Sequence, residues 1–490
     1  MRSPILLLFL SGLMHAQQPA SRLNPTIQRI VDGVSEQRIA ATLRKLESFG
    51  TRFVLSGQDH PTRGIGAAQR WIEGEFKGYS PRLQVSLHAF DVKKGPRVAR
   101  DVQVNNVVAM LPGTVHKDRY IIVSAHYDTI VLVAKSKPTL EQRIATAVKD
   151  GMLEAEARAM LSLTPEDEVR PDVDPVKMAE PDFKAPGVND DGSGVAAVME
   201  LARVMSGYEF DKSILFVTFA GEEIGMVGSG AYAKEAKEKK QLIEAVLNND
   251  IIGNEVAGNG RSASSVVRLF SAGPEDSLPR AVAAYAKEVG ERYVPSMKVD
   301  LVLRQDRFAR GGDHTPFANN GFGAVRFTTA SEDYSHQHTV TDTFEHVSVP
   351  YNTRVARVNA AVLVSLANAP VAPQTNWTVA SGKDAGARRG LLGRGKSGYD
   401  AALRWLPSPD VDVVGYEVMI RSTTNPLWER AIFVGNVKEY ALKDFSIDDV
   451  VIGIRAVDKD GNASLVSSYA LSGSTLPAVL KPAAAKPKPE

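Results

Sequence analysis

The chain contains no cysteine among its 490 residues. This absence excludes disulfide scaffolds, thiolate zinc sites, iron–sulfur clusters and cysteine nucleophiles. Histidine is scarce, at nine residues, so a metal ion would have to be held by a few imidazoles together with carboxylates. The 58 basic and 57 acidic residues leave a formal net charge of +1. That balance gives no electrostatic reason to expect a nucleic acid or an anionic membrane as a partner.

Long apolar runs are also missing. The N-terminal run at residues 5–10 (Ile-Leu-Leu-Leu-Phe-Leu) is too short to span a bilayer, and no other stretch approaches the roughly 18 apolar residues that a span needs. Arg2 precedes the run, and Ala16 and Gln17 follow it. This pattern is typical of a secretory signal peptide over residues 1–16. It predicts a secreted or periplasmic protein without a membrane span.

Helix-like and strand-like segments alternate along most of the chain. The spacing of apolar residues predicts helical structure from residue 22 to about residue 80 and a helix at residues 195–205. Short apolar runs predict strands, at residues 102–111, 120–125, 214–219, 246–247 and 323–327. This alternation predicts an α/β domain over residues 22–369, with a mainly parallel mixed sheet flanked by helices.

Two regions depart from that alternation. Residues 130–185 are charged and helix-prone and then rich in proline and aspartate, which predicts an insertion that is a lid, a partner surface or a solvated excursion. From residue 370 onward, runs of period two predict a small all-β sandwich over residues 370–476. The Pro-, Ala- and Lys-rich residues 477–490 predict a disordered tail.

Polar side chains stand where predicted strands end or where the helix at residue 195 begins. They are His126, Asp128, Asp190, Glu222, Glu223, Asp250 and His338. In a parallel α/β sheet, catalytic groups gather beyond the carboxyl ends of the strands. Imidazoles and carboxylates without thiolates suit zinc in a hydrolytic site. A carboxylate shared by two ions would make the site a two-metal centre.

Five segments, in this order, resemble peptidase family M28, the co-catalytic zinc aminopeptidases. The segments are residues 124–128 (Ser-Ala-His-Tyr-Asp), 186–194 (Pro-Gly-Val-Asn-Asp-Asp-Gly-Ser-Gly), 220–225 (Ala-Gly-Glu-Glu-Ile-Gly), 249–250 (Asn-Asp) and 338–343 (His-Thr-Val-Thr-Asp-Thr). The resemblance covers roughly residues 100 to 365. It implies a zinc exopeptidase-like fold and an enzyme that hydrolyses N-terminal residues from peptides, and the predicted signal peptide would make this enzyme a secreted one.

The resemblance implies two Zn²⁺ ions per chain and a ligand set for each ion. Asp190 would bridge the two ions. His126 and Asp250 would complete the coordination of one ion, and Glu223 and His338 that of the other.

The resemblance also assigns roles outside the ligand set. Glu222 would act as the general base toward the attacking water and then pass its proton to the leaving amine. Asp128 would accept the free ring N–H of His126 and fix its tautomer. The hydroxyl of Tyr334 would stabilise the tetrahedral oxyanion, unless this tyrosine is simply packed.

Several residues compete for these roles. Asp191 competes with Asp190 as the bridge, and the motif position favours Asp190, which leaves Asp191 as a helix cap or a supporting residue. His336 competes with His338, but only His338 begins the His-Thr-x-x-Asp-Thr pattern. Asp313 and His314 either line the site or belong to a structural loop.

Three other functions compete with the aminopeptidase hypothesis. A glutaminyl cyclase would enclose its substrate with tryptophans, and the catalytic region contains only Trp71. A carboxypeptidase or dipeptidase would grip a terminal carboxylate, for which Arg304, Arg307 and Arg310 are candidates, although a stripe of this kind also suits a solvated face. A metal-free receptor of the same fold would have lost ligands, and every ligand position is filled here.

The C-terminal region resembles a fibronectin type III sandwich. The matching residues are Trp405, residues 415–418 (Gly-Tyr-Glu-Val) and residues 454–464, with Asp458, Gly461 and Asn462 at the turn. The resemblance implies a domain without chemistry of its own. Such a domain either contacts a surface or polysaccharide or packs against the peptidase.

Overall fold

The structure, a computed structural model, describes residues 23–133, 140–149, 151–162, 172–308, 310–378, 382–383, 386, 388–390 and 392–469. The predicted signal peptide at residues 1–16 and the predicted tail at residues 477–490 lie outside this part of the chain. None of the helices in the described ranges is both long enough and apolar enough to cross a bilayer.

The α-helices are α1 (Pro25–Asp32), α2 (Glu36–Ser48), α3 (Gly64–Tyr79), α4 (Leu140–Lys149), α5 (Glu154–Ser162), α6 (Ser193–Met205), α7 (Val227–Glu238), α8 (Leu278–Tyr293), α9 (His314–Asn319) and α10 (Val349–Asn368). The strands are β1 (Gln84–Val92), β2 (Val102–Leu111), β3 (His116–His126), β4 (Leu132–Val133), β5 (Asp172–Val173), β6 (Lys212–Phe219), β7 (Leu242–Asn249), β8 (Val266–Ser271), β9 (Lys298–Val302), β10 (Ala324–Thr329), β11 (Trp377–Thr378), β12 (Arg388–Arg389), β13 (Ala401–Arg404), β14 (Val413–Ser422), β15 (Arg430–Phe433), β16 (Glu439–Leu442), β17 (Val450–Asp458) and β18 (Ser467–Ser468).

One mixed sheet organises the larger part of the molecule. Its eight strands lie in the order β1-β2-β6-β3-β7-β10-β8-β9. The neighbouring strands β6, β3, β7 and β10 are parallel, whereas β1 and β2 are antiparallel to each other, as are β2 and β6, and β8 and β10. Helices cover both faces, so the predicted α/β fold with a mixed sheet flanked by helices is confirmed.

The central strands are rich in buried apolar residues because both faces of the sheet are covered. Every residue of β6 and β10 is buried. On one face, α6 buries every residue except Arg203 and packs with α10 in the main core. On the other face, α7 and α9 pack through residues such as Ala233 and Phe317.

The helical prediction for residues 22–80 is correct for α1, α2 and α3 and wrong for residues 49–63. That segment forms a loop in which Arg52 is fully buried and acts as a cross-link. The guanidinium donates hydrogen bonds to the carbonyls of Tyr127 at 2.6 Å, Pro186 at 2.7 Å and Gly187 at 2.8 Å. The loop therefore ties the N-terminal helices to the carboxyl edge of the sheet.

Only the middle of the region at residues 130–185 resembles an excursion. Ile130, Val131, Val173 and Met178 are buried in the main core, and β4 and β5 form a short antiparallel pair. Between these strands lie α4 and α5, which pack against each other. We call β4 and β5 together the insertion strand pair. The two ends of the region are thus integral to the α/β core.

The C-terminal region is all-β. It contains the four-stranded sheet β15-β14-β17-β18 and the pairs β13-β16 and β11-β12, and it has its own apolar core around Trp405 and Tyr416. It packs at the amino ends of the central strands, where Leu242 and Pro370 line a shared cavity. The polar candidate residues lie at the opposite ends, on the order of 25 Å away along strands of eight residues.

Candidate metal centre

Each of the four parallel central strands leads into a candidate residue. Strand β3 ends on His126, β6 is followed by Glu222 and Glu223, and β7 is followed by Asp250. His338 lies in the segment after β10. Because parallel neighbouring strands end at the same edge of a sheet, these side chains meet there.

Asp190 enters the same edge from the turn before α6. Gly187 makes that turn possible, since its φ is +50° and a β-carbon would lie 2.2 Å from the Cγ2 atom of Thr129. The buried carboxylate of Asp342 accepts hydrogen bonds from the backbone N–H groups of Asn189 at 2.8 Å and Asp190 at 3.0 Å. These contacts fix the backbone that presents the Asp190 side chain.

Asp190 lies between two groups of side chains. Its Oδ1 is 3.2 Å from Nε2 of His126, and Oδ1 of Asp250 is 3.9 Å from the same nitrogen. Its Oδ2 is 2.9 Å from Nε2 of His338, which lies 3.1 Å from Oε2 of Glu223. One carboxylate therefore faces both groups, as the assigned bridging role requires.

These residues fit a pair of zinc ions. In the groups His126–Asp190–Asp250 and Asp190–Glu223–His338, the candidate ligand atoms lie within 4.8 Å of one another. Nε2 of His126 and Oε1 of Glu223 are buried without a hydrogen-bond partner among the described residues. Buried imidazole nitrogens and carboxylate oxygens that lack a partner are the donor atoms that zinc takes.

The electrostatics of the centre favour cations. Burial alone would lower the pKa of His126, but the nearby carboxylates of Asp128 and Asp190 raise it well above its usual value. The pKa of His338 is also raised, because Glu223 and Asp190 outweigh its burial. The carboxylates that retain a proton on these imidazoles would attract a metal ion in the same way.

Glu222 differs from its neighbour Glu223 in exposure. Glu223 is buried, whereas Glu222 is only partly buried by accessible surface. The carboxylate of Glu222 has an oxygen within 4.8 Å of both a His126 nitrogen and a Glu223 oxygen. Desolvation raises its pKa well above that of an ordinary glutamate. A carboxyl group in this position can exchange protons with a reacting molecule in the open part of the centre.

Asp128 supports the centre differently from the sequence expectation. Nδ1 of His126 is 3.1 Å from the main-chain carbonyl oxygen of Asp128 and 3.7 Å from its carboxylate. The carboxylate instead accepts the backbone N–H groups of Glu222 at 3.1 Å and Glu223 at 3.3 Å. The carbonyl orients the imidazole because it lies within reach of Nδ1, and the side chain holds the turn that carries both glutamates.

Asp191 and His336 lie outside both ligand groups. The carboxylate of Asp191 accepts backbone N–H groups from His126, Gly194 and Ile251. His336 stacks on His346 with ring centroids 3.6 Å apart. Gln337, between the two histidines of its segment, donates to Oδ2 of Asp190 at 2.8 Å.

Arg326, a fully buried residue beside the centre, was not among the residues predicted from the sequence. Its Nη2 is 2.9 Å from Oδ1 of Asp250, and its Nη1 is 2.9 Å from Oδ2 of Asp306. Arg307 continues this chain of charges from Asp306 to Glu332, whose carboxylate lies 2.7 Å away. A charged residue in the middle of the apolar strand β10 was the available signal.

The three arginines before Asp313 do not form one surface. Arg307 is 9% exposed and ion-paired, so it is neither solvated nor free to bind a substrate carboxylate. Arg304 lies over the Phe308 ring at 5.9 Å. Arg310 lies 6.0 Å from the ring of Tyr334 and 3.3 Å from the side-chain oxygen of Gln337.

Other candidate residues have different surroundings. Tyr334 is 61% exposed, and its role toward the oxyanion stays a prediction. Asp313 is buried, and this burial raises its pKa to about 7. Nε2 of His314 faces the carbonyl of Gln305 at 2.7 Å, which favours the structural interpretation of this histidine.

Comparisons with known proteins identify the family of this chain. The family described as peptidase family M28 matches residues 106–363. A protein of Pyricularia oryzae named probable zinc metalloprotease is 34% identical over 472 residues, which cover 89% of this chain and 83% of that protein.

Two solved structures are similar to this chain at lower identity. The LapA aminopeptidase of Legionella pneumophila has a TM-score of 0.49 at 19% identity, covering 71% of this chain and 76% of that one. The glutaminyl cyclase of Fimbriiglobus ruber has a TM-score of 0.44 at 20% identity, covering 67% of this chain and 94% of that one.

Proposed function

The chain belongs to peptidase family M28, a family of zinc metalloproteases, and on that premise we propose that it is a secreted aminopeptidase with two zinc ions. The observation that carries the proposal is the position of Asp190. Its two carboxylate oxygens face His126 on one side and His338 on the other. A single buried carboxylate that serves two ligand groups is the arrangement a two-metal hydrolase needs.

In this proposal, His126, Asp190 and Asp250 hold one ion, and Asp190, Glu223 and His338 hold the other. Zinc bound by these residues would supply Lewis acidity toward the peptide carbonyl and would lower the pKa of the attacking water. The protein residues supply the remaining functions. Asp342 and Asp128 fix the backbones that present the ligands, and burial excludes bulk water from the carboxylates.

Glu222 is the proton carrier of the proposed reaction. Its ionised carboxylate accepts the proton of the attacking water and then donates that proton to the leaving amine. The Asp128 carboxylate holds the Glu222 backbone, so the glutamate is positioned before the substrate binds. Its partial exposure leaves it accessible to a peptide, whereas the ligands Asp190, Glu223 and Asp250 are buried.

The surroundings favour a free amine over a free carboxylate as the recognised end of the peptide. Arg307 is occupied by Asp306 and Glu332, which removes one member of the proposed carboxylate clamp. The described tryptophans also give a cyclase little support. Trp71 packs on Phe49 in the helical layer, and Trp377, Trp405 and Trp428 belong to the C-terminal region.

A substrate panel tests which end is recognised. Aminoacyl anilides with a free α-amine should be hydrolysed, and their N-acetylated forms should not. Cleavage of N-acetylated peptides, lost selectively on Arg310→Met, would instead identify a carboxypeptidase. Conversion of N-terminal glutamine to pyroglutamate without cleavage would identify a glutaminyl cyclase.

Elemental analysis tests the metal content independently of the substrate. Active protein dialysed against a slight excess of zinc should contain two ions per chain. A plateau at one ion per chain in fully active protein would contradict the two-zinc proposal.

Secretion and the character of the C-terminal region are further parts of the proposal. Export through residues 1–16 predicts that the mature chain begins at Gln17, which N-terminal sequencing of the exported protein would reveal. The fibronectin type III character is supported by the buried Trp405, whose ring centroid lies 5.4 Å from that of Tyr416. Binding of this region to a polysaccharide can be tested by co-sedimentation with insoluble polymers.

A further inference from the structure

The insertion strand pair contacts the segment that carries His338. The backbone N–H of Leu132 in β4 donates to the carbonyl oxygen of His338 at 2.9 Å. This carbonyl is in an unusual position because His338 has a φ of +56°, in the left-handed region that non-glycine residues rarely adopt. Such a conformation persists only where its surroundings hold it. The hydrogen bond from Leu132 is one of the contacts that do so.

The same strand pair contacts Glu223 through Arg97. Nε of Arg97 is 3.0 Å from Oδ1 of Asp172 in β5. Nη1 of Arg97 donates to the carbonyl oxygen of Glu223 at 2.8 Å. Because the guanidinium is planar and rigid, it transmits the position of Asp172 to the Glu223 backbone. Arg97 therefore joins the insertion to the second ligand of the same group.

The ligands of the other group are held by different elements. The backbone N–H of His126 donates to Asp191 at 3.2 Å. The backbone N–H of Asp250 donates to Phe327 in β10 at 3.1 Å, and the Asp250 carboxylate pairs with Arg326. These contacts come from the sheet and from the turn before α6. The two contacts described above for the insertion strand pair, through Leu132 and through Arg97, thus lead to His338 and Glu223, which belong to the same ligand group.

We propose that the insertion strand pair, through Arg97 and Leu132, positions the ligands of one metal site only, the Glu223–His338 site. This inference rests on the two-zinc proposal. Arg97 is a positioning residue, since it contacts the backbone of a ligand and not the substrate. Loss of residues that orient metal ligands typically weakens metal binding by about 10- to 100-fold.

Zinc affinity of the full chain, measured by competition with a chelator, tests the proposal. Arg97→Leu should weaken one of the two ions by about 10-fold or more and leave the other unchanged. Arg97→Lys should recover part of this loss, because an ammonium can reach one acceptor but not both. Arg82→Leu is the matched control: Arg82 is also a partly exposed arginine that donates to a backbone carbonyl, that of Tyr208 at 2.7 Å.

The affected ion is identified in two single-site backgrounds. In His126→Ala protein, the remaining ion should be held about 10-fold more weakly when Arg97→Leu is added. In His338→Ala protein, adding Arg97→Leu should not change the affinity of the remaining ion. Zinc-free melting curves show whether a variant is folded.

Unchanged affinities in folded Arg97→Leu protein, an equal loss of both ions, or the same loss in Arg82→Leu would overturn the positioning role. A wild-type protein that binds only one ion would instead overturn the two-zinc proposal. The wild-type stoichiometry thus separates failure of the present inference from failure of the function on which it rests.

Discussion

Glu222 and Glu223 are adjacent in the chain but have different expected roles. Glu223→Gln should lower the zinc content, because Oε2 of Glu223 faces His338 in a ligand group. Glu222→Gln should retain zinc and lower kcat by about 10²- to 10⁴-fold, because the amide cannot accept a proton. Zinc analysis and steady-state kinetics on both variants measure the difference. Equal zinc contents and equal rates would contradict this division of roles.

His336 and His338 provide a matched pair within one segment. His338→Ala should lose one zinc ion, because His338 Nε2 lies 2.9 Å from Asp190 and 3.1 Å from Glu223. His336→Ala should retain the zinc content of the wild type, because the His336 ring stacks on His346. Metal analysis of the two purified variants checks the prediction. Loss of an ion in His336→Ala alone would exchange the two assignments.

At the scale of elements, Arg326 joins β10 to the loop after β9 and to the segment after β7. Arg326→Met leaves Asp250 and Asp306 as buried carboxylates without their shared cation. Removing one partner of a buried ion pair costs about 3–5 kcal/mol, so the free energy of unfolding of the zinc-free protein should fall by this amount in a urea titration.

Arg304→Met is the control for this effect. Arg304 is exposed and lies over Phe308, and surface substitutions of this kind change stability by about 0.5 kcal/mol or less. Equal destabilisation by the two variants would show that the buried ion pairs of Arg326 contribute nothing specific.

At the scale of the whole molecule, ion pairs fix the C-terminal region to the α/β domain. Arg455 in β17 lies between Glu417, at 2.6 Å, and Glu288 of α8, at 3.0 Å. Nη2 of Arg421 lies 2.7 Å from Asp276. These contacts attach the C-terminal region to α8 and to the loop before it in the α/β domain.

Arg455→Met should therefore lower the free energy of unfolding by about 2 kcal/mol, the usual value for hydrogen bonds to charged groups. The kcat should remain that of the wild type. Arg404→Met is the control, because Arg404 and Glu439 form an exposed pair 3.0 Å apart and such pairs contribute about 0–1 kcal/mol. Thermal unfolding and kinetics on both variants check the prediction, and a large loss of kcat in Arg455→Met would contradict it.

Local patterns in the sequence determined the kind of fold and the candidate ligands. The strand β2 was predicted with the bounds that the structure has, because an alternating run shows which residues face the core. The candidates His126, Glu223 and Asp250 were found because polar residues directly after apolar strands stand out. Both signals need only a few neighbouring residues, so they can be read without knowing which strands are adjacent.

Only the tertiary structure decided how distant parts of the chain support the centre. Arg97 and Glu223 are separated by 126 positions in the chain, and the contact of Leu132 with His338 joins residues that are still further apart. Such contacts depend on which strands become neighbours and on how each loop closes over them. Residue type alone does not distinguish Arg97 from the other surface arginines, because its role comes from the carbonyl it meets after folding.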